Sequence, residues 1–134
     1  MPKTAEELLA KARRHIDRLT PRQALEAMNA GAVLVDTRTE TDRRNEGTVA
    51  GAVAVADSVL EWRADPADDA ADPRLTTGAR LIVMCNDGYS SSFKADHLRK
   101  LGHQHPADVI GGYRAWKRLG LPVDEFRSDR GIPH

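Results

Sequence analysis

The run Arg80-Leu81-Ile82-Val83-Met84-Cys85, halted at once by Asn86-Asp87-Gly88, constrains this chain more than any other feature. A short unbroken apolar run closed by turn formers reads as a buried strand, and the chain must reverse directly after it. Ala32-Val33-Leu34-Val35-Asp36 reads in the same way, as a strand covered on both faces. Ala52-Val53-Ala54-Val55 and residues 107–110 supply two shorter ones.

Helical spacing lies between and around these strands. Ala5, Leu8, Leu9, Ala12, Ile16 and Leu19 predict an amphipathic helix over 4–18, with Lys11, Arg13, Arg14 and Asp17 facing away. Thr20-Pro21 gives an N-cap with Pro at the first helical position, and Gly31 stops the helix that they begin, placing it over Pro21–Asn29. Phe93, Ala95, Leu98 and Leu101 mark a helix from 91 that ends at Gly102, and Gly111-Gly112 opens another that runs through Trp116 to Leu119. Residues 39–46 form a charged connector, and the Ala, Asp and Pro of 64–78 predict a surface loop. Strands alternating with helices imply an α/β fold, a central mostly parallel sheet covered by helices on both faces.

At 134 residues the chain suits one domain, and 20 Lys+Arg against 20 Asp+Glu leave no net charge to attract nucleic acid or anionic lipid. The longest apolar run is the eight residues 49–56, too short for a membrane span, and residues 1–20 lack the apolar region of a secretory signal. A cytoplasmic location is therefore expected. Cys85 is the single cysteine, so neither an internal disulfide nor an all-cysteine metal site can form.

A cysteine where a strand turns into a helix sits where open α/β sheets bind ligands. Successive main-chain N–H groups of such a loop turn inward and favour an anion, the nearest being the Cys85 thiolate itself. A free cysteine titrates near a pKa of about 8.5, and a helix N-terminus contributes only roughly 0.3–2 kcal/mol. The loop has no Lys, Arg or His, so the remainder is assigned to N–H groups aimed at the sulfur, with Asp87 turned outward and Gly88 giving the backbone a positive φ. The competing reading takes Cys85 as a small buried apolar residue that merely ends a strand.

Four segments in order, Leu34-Val35-Asp36-Thr37-Arg38, Gly47-Thr48-Val49-Ala50-Gly51-Ala52, Cys85-Asn86-Asp87-Gly88-Tyr89-Ser90-Ser91 and Gly111-Gly112-Tyr113-Arg114-Ala115-Trp116, resemble the rhodanese-like family of sulfurtransferases. The resemblance implies the rhodanese-like fold over 20–125, between an amphipathic N-terminal segment at 1–19 and a C-terminal tail at 126–134. It also implies transfer of a sulfane sulfur through a persulfide on Cys85, with Asn86, Asp87, Gly88, Tyr89 and Ser90 as the amide-lined cradle. No cofactor or metal is expected. The sulfur donor would be thiosulfate or another small-molecule or protein persulfide, and the acceptor cyanide or an external thiol, because no second cysteine exists to resolve the persulfide. Two departures stand out: Ser90 where many members carry Arg, and Thr48 where a His often follows the glycine, in a segment one residue longer than usual.

Arg63 is the candidate cation for donor binding, with an ion pair to Glu61 or Asp65 as its plainer role. Ser90 and Ser91 are expected to cap the following helix, with Ser91 a further candidate for contact with substrate. Asp36 and Arg38 are expected to give structural support as an ion pair or turn bond. Trp62 and Trp116 read as core or rim aromatics, and His103 and His105 as exposed loop residues rather than metal ligands. Phosphatase or arsenate reductase chemistry would need an arginine fork six residues after the cysteine, where this chain has Ser91. The non-catalytic alternative is a persulfide- or redox-sensing or protein-binding module, with the N-terminal helix as a contact surface.

Overall fold

In the computed structural model, which describes residues 1–127, five parallel strands form one sheet in the order β1-β5-β4-β2-β3. They are β1 (Asp17–Leu19), β2 (Val33–Asp36), β3 (Val53–Ala54), β4 (Leu81–Met84) and β5 (Ala107–Val109). The helices are α1 (Ala5–Arg13), α2 (Pro21–Asn29), α3 (Glu40–Glu46), α4 (Leu60–Ala64), α5 (Ser90–Lys100) and α6 (Gly112–Arg118). Thr4 and Thr20 each close a capping box with the residue three positions on, Glu7 and Gln23, which fixes the starts of α1 and α2.

Strand pleating divides the core in two. Leu34, Ile82 and Met84 face a cluster with Ala24, Tyr113 and Trp116 from α2 and α6. Val35, Leu81 and Val83 face the other side, toward Leu60, Ala64, Ala95 and Leu98 from α4 and α5. The alternation along β2 and β4 is the period-two geometry of a strand whose faces are both dry, and it explains why these runs read as unbroken apolar. Trp116 is fully buried and gives its indole N–H to the Pro122 carbonyl at 2.9 Å, whereas Trp62 is exposed.

Three elements depart from the sequence expectation. The first helix ends at Arg13 instead of 18, and Asp17–Leu19 forms edge strand β1 in register with Ala107, Asp108 and Val109 of β5. Ile16 and Leu19, three apart, fit a helix face equally well; with Leu19 in the strand and Ile16 just ahead of it, they part to opposite faces, Ile16 to the α4/α5 cluster and Leu19 to the α2/α6 cluster. The charged connector 39–46 contains α3, a helix with no buried residue, started by the Thr39 hydroxyl accepting from the Asp42 N–H. A helix polar on all sides carries no apolar period to read. Leu60 and Ala64, four apart and both fully buried, anchor the short α4. The loop expected at 64–78 holds one 3-10 turn, Pro73–Leu75, which buries Leu75. Of the tail 126–134, residues 128–134 lie outside the described residues.

Connections from β2 run to one side of the sheet and those from β4 to the other, so the strand order reverses between these two neighbours. A crevice at their carboxyl ends follows from that reversal. Thr37, Arg38, Thr39 and Cys85 line it.

Candidate active site

Cys85 follows the last residue of β4 and is 8% exposed at the floor of an open cavity of about 300 Å³. Its Sγ accepts the Gly88 N–H at 3.2 Å, closing a three-residue turn over the sulfur. Gly88 takes φ +86°, and a Cβ there would lie 2.8 Å from the Gly111 nitrogen, so both the handedness and the space require glycine. Burial pushes the Cys85 thiol up, but bonds from the Ser91 and Ser90 hydroxyls and from the Ser91 and Gly88 N–H groups outweigh it and leave the thiol below its ordinary value. Neutral donors, rather than a neighbouring cation, therefore favour the ionised sulfur.

The loop's carbonyls explain why its amides are free to serve. Cys85 C=O accepts the Tyr113 N–H at 2.8 Å and Asn86 C=O the Arg114 N–H at 3.1 Å, both from the first turn of α6. Gly88 C=O accepts from Arg13 Nη2 at 2.8 Å and Arg18 Nη2 at 3.1 Å. A trans peptide sends its C=O and N–H in opposite directions, so carbonyls drawn outward turn the following N–H groups toward the loop interior. Gly112 makes the α6 contacts possible: a Cβ on it would fall 2.4 Å from the Cys85 oxygen.

Asp36 and Arg38 form a buried pair, Nη2 to Oδ2 at 2.8 Å, and Arg38 also donates to Gly47 C=O at 2.9 Å while its guanidinium lies 3.7 Å from the centre of the Tyr113 ring. The pair ties the chain after β2 to the segment before β3 and to α6, beside the cavity. Asp87 does point outward, to Arg114 Nη1 at 2.7 Å. Tyr89 is exposed on the rim, with the Arg13 guanidinium 5.8 Å from its ring centre.

Three candidate residues are placed differently from the sequence reading. Arg63 is exposed, donates to Ala70 C=O at 3.0 Å and lines a separate groove with Val55, Asp72 and Arg74, so the fold does not bring it to Cys85. The chain between β3 and β4 folds back along its own loop and carries the guanidinium away. Neither Ser90 nor Ser91 caps α5, because the N-cap position is Tyr89 and no side chain makes the capping bond. Ser91 instead donates to Asp108 Oδ2 at 2.8 Å. Its single proton is contested once Cys85 ionises, and Asp108 then keeps Ser92, at 2.7 Å, and Arg18, at 2.9 Å.

Sequence reading missed Arg13, Arg18, Asp108, Asp42 and Asp57. Asp108 had a signal: a carboxylate in the middle of a strand read as buried demands partners. Asp42, Asp57 and Asp87 line the cavity mouth. The Asn86 amide, donating to Asp42 at 2.9 Å, holds the Asp42 carboxyl below its usual range, so it stays charged. Lys94 is committed to Glu61 at 2.9 Å and lies 3.9 Å from Asp57.

A lone cysteine in an amide-lined loop at the strand-order reversal of a parallel sheet defines a class of proteins that carry a reactive sulfur or an oxyanion. The model of the rhodanese-like domain matches residues 20–119, and the chain belongs to that family. It is 34% identical over 107 residues to the thiosulfate sulfurtransferase GlpE of Haemophilus influenzae, covering 79% of this chain and 92% of that one. A structure from Rhodopseudomonas palustris described as a protein of unknown function and possible tyrosine phosphatase matches with a TM-score of 0.83 and 26% identity, over 92% of this chain and 99% of that one. A rhodanese-related protein from Thermoplasma volcanium, 22% identical with a TM-score of 0.64 over 80% and 96% of the two chains, shares the fold. The family and the first of these relatives make the chain a sulfurtransferase. Among the described residues no helix is long and apolar enough to cross a membrane.

Proposed function

We propose that this chain moves a sulfane sulfur through a persulfide on Cys85, with thiosulfate, the substrate named for its Haemophilus relative, as a working donor. The observation that carries this reading is the Gly88 N–H on Cys85 Sγ, within a loop whose carbonyls are tied outward. The Cys85 thiolate attacks the outer sulfur of the donor; the donor's S–S bond breaks, and sulfite leaves with its electron pair. The new Cys85 persulfide carries its charge on the terminal sulfur, where inward N–H groups stabilise it as an oxyanion hole stabilises oxygen. An acceptor, cyanide or a thiolate, attacks that sulfur, takes it away and returns the Cys85 thiolate. No oxidant enters or leaves the cycle.

Donor charge sets the expected kinetics. Three carboxylates surround the mouth, and Arg38, the cation that lines it, is buried against Asp36. A dianionic donor meets an unfavourable potential, so the thiosulfate KM is expected at or above about 1 mM.

Intact mass after incubation with thiosulfate, together with thiocyanate production from cyanide, tests the cycle. The expected result is one added sulfur on the wild type, none on Cys85→Ala, and no turnover by that variant. Turnover that survives the substitution would overturn the mechanism. Absence of sulfur loading from every donor tried would favour the non-catalytic module instead.

A further inference from the structure

The second half of the cysteine loop is supported from a part of the chain that precedes the matched domain. Arg13, the last residue of α1, donates through Nη2 to Gly88 C=O at 2.8 Å and through Nε to Ser92 Oγ at 3.1 Å. Arg18, the central residue of β1, donates through Nη2 to the same carbonyl at 3.1 Å and through Nε to Asp108 Oδ1 at 2.9 Å. Asp108 has no exposed surface and also takes the Ser91 and Ser92 hydroxyls on Oδ2. Both guanidiniums are thus fixed at one end by β5 or α5 and lean on a single loop carbonyl with the other. The arrangement suits arginine, whose planar fork serves two acceptors at a set angle, and not lysine, whose ammonium is one point.

We propose that Arg13 and Arg18 are positioning residues for sulfur transfer: by drawing the Gly88 carbonyl outward they turn the Tyr89 N–H toward the terminal sulfur of a Cys85 persulfide. The trans peptide linking Gly88 to Tyr89 makes the two directions one. Neither arginine touches the sulfur, and both act through the peptide. The segment that carries α1 and β1 is then a working part of the active site. This inference rests on Cys85 being the sulfur carrier.

Four variants and a control test it: Arg13→Ala, Arg13→Lys, Arg18→Lys and the double variant Arg13→Ala/Arg18→Lys, beside Arg80→Ala. Arg80 pairs with Asp17 of β1 at 2.7 Å without reaching the loop, so its loss loosens the same segment and leaves Gly88 alone. Cys85 is the single cysteine, and the pH dependence of its alkylation by iodoacetamide therefore reports its ionisation without any turnover. Asp42, Asp57, Asp87 and Arg38, the charged side chains that line the cavity with Cys85, are unchanged throughout. Arg13→Ala and Arg18→Lys should each raise the thiol midpoint by about half a unit, roughly a threefold loss of thiolate at neutral pH. The double variant should rise by about one unit and lose about tenfold in kcat with thiosulfate and cyanide, with KM held within about twofold. Arg13→Lys, which keeps one donor for Gly88, should recover part of the shift, and Arg80→Ala should show none. Should the double variant fail to fold, Arg13→Ala decides, since Arg18 still holds the carbonyl and Asp108 still holds Ser92.

Unmoved thiol midpoints and kcat in folded variants would overturn the proposal, as would an equal shift in Arg80→Ala. Cys85→Ala separates the two readings. If that variant is inactive while the arginine variants do not move, the positioning role alone falls; if it stays active, the persulfide mechanism falls with it.

Discussion

The two halves of the cysteine loop are held by different means. Main-chain amides of α6 take the carbonyls of Cys85 and Asn86, whereas guanidiniums from α1 and β1 take the carbonyl of Gly88. The first arrangement needs close backbone contact and therefore glycine, and it tolerates no added atom. The second spans the gap with long side chains and depends on a buried carboxylate to aim them. Support of the first kind fails abruptly when disturbed, and support of the second kind yields by degrees.

That difference is broken most severely at Gly112. Its φ of +63° already disfavours a side chain, and a Cβ would meet Cys85 O at 2.4 Å and Asn86 C at 2.6 Å, backbone atoms that cannot swing aside. Gly112→Ala should cost about 4 kcal/mol or more and abolish sulfur transfer, as read by denaturant unfolding and thiocyanate release. A stable, active Gly112→Ala would mean that the α6 half is no stiffer than the arginine half.

Next in size comes the carboxylate that aims the guanidiniums. Asp108→Ala leaves Arg18, Ser91 and Ser92 without their common acceptor in a site closed to water, and should destabilise by about 3 kcal/mol while the protein still folds. Removing Asp96, which pairs with Arg99 at 2.8 Å and Lys100 at 3.5 Å on the outer side of α5, should cost less than about 1 kcal/mol, since both partners reach solvent. Equal losses at the two sites would show that Asp108 aims nothing.

A smaller effect follows from the thiol itself. The folded-state value of Cys85 is lowered, so between it and the ordinary cysteine value the unfolded chain holds a proton that the native state has released. Stability relative to Cys85→Ala should therefore rise with pH across that window, be fully present above the unfolded value, and be lost as pH falls through the folded one. The alkylation rate should climb over the same lower range and then level off. Paired urea titrations at several pH values test the sign, and a difference that shrinks with rising pH would contradict a stabilised thiolate.

The α6 half of this support was legible in the sequence, and the arginine half was not. Gly111-Gly112 ahead of an apolar helix and Asn86-Asp87-Gly88 after an apolar strand carry local signals, because turn chemistry is written in adjacent residues. The strands β2 and β4 and the helix α2 were readable for the same reason. Arg13 and Arg18 instead reach residues 75 and 70 positions away, and the pattern that displayed Arg13 on a helix's outer face gave no hint of an inward reach. The strand β1 was hidden because Ile16 and Leu19 satisfy a helical spacing. The polar helix α3 was hidden for want of any apolar spacing, and with it went Asp42 at the cavity mouth. Arg63 failed in the opposite direction, since its place after the second strand, where the resemblance implies an arginine, suggested a cation that the fold carries elsewhere.

The smallest expected effect is at the rim, where neither kind of support acts. Asp57 lines the cavity and has Lys94 only at 3.9 Å, so much of its field reaches an entering anion. Across several ångströms of water a unit charge costs a dianion roughly 1 kcal/mol, less under physiological screening. Asp57→Asn keeps the shape and removes the charge, and it should lower the thiosulfate KM about two- to threefold while kcat stays put, because the loop that holds the sulfur is untouched. A neutral persulfide donor should show no such change. Comparing the two donors at low and high salt separates field from contact: a KM gain that persists in high salt, or that appears equally with the neutral donor, would mean that Asp57 acts by shape and that the rim does not select donors by charge.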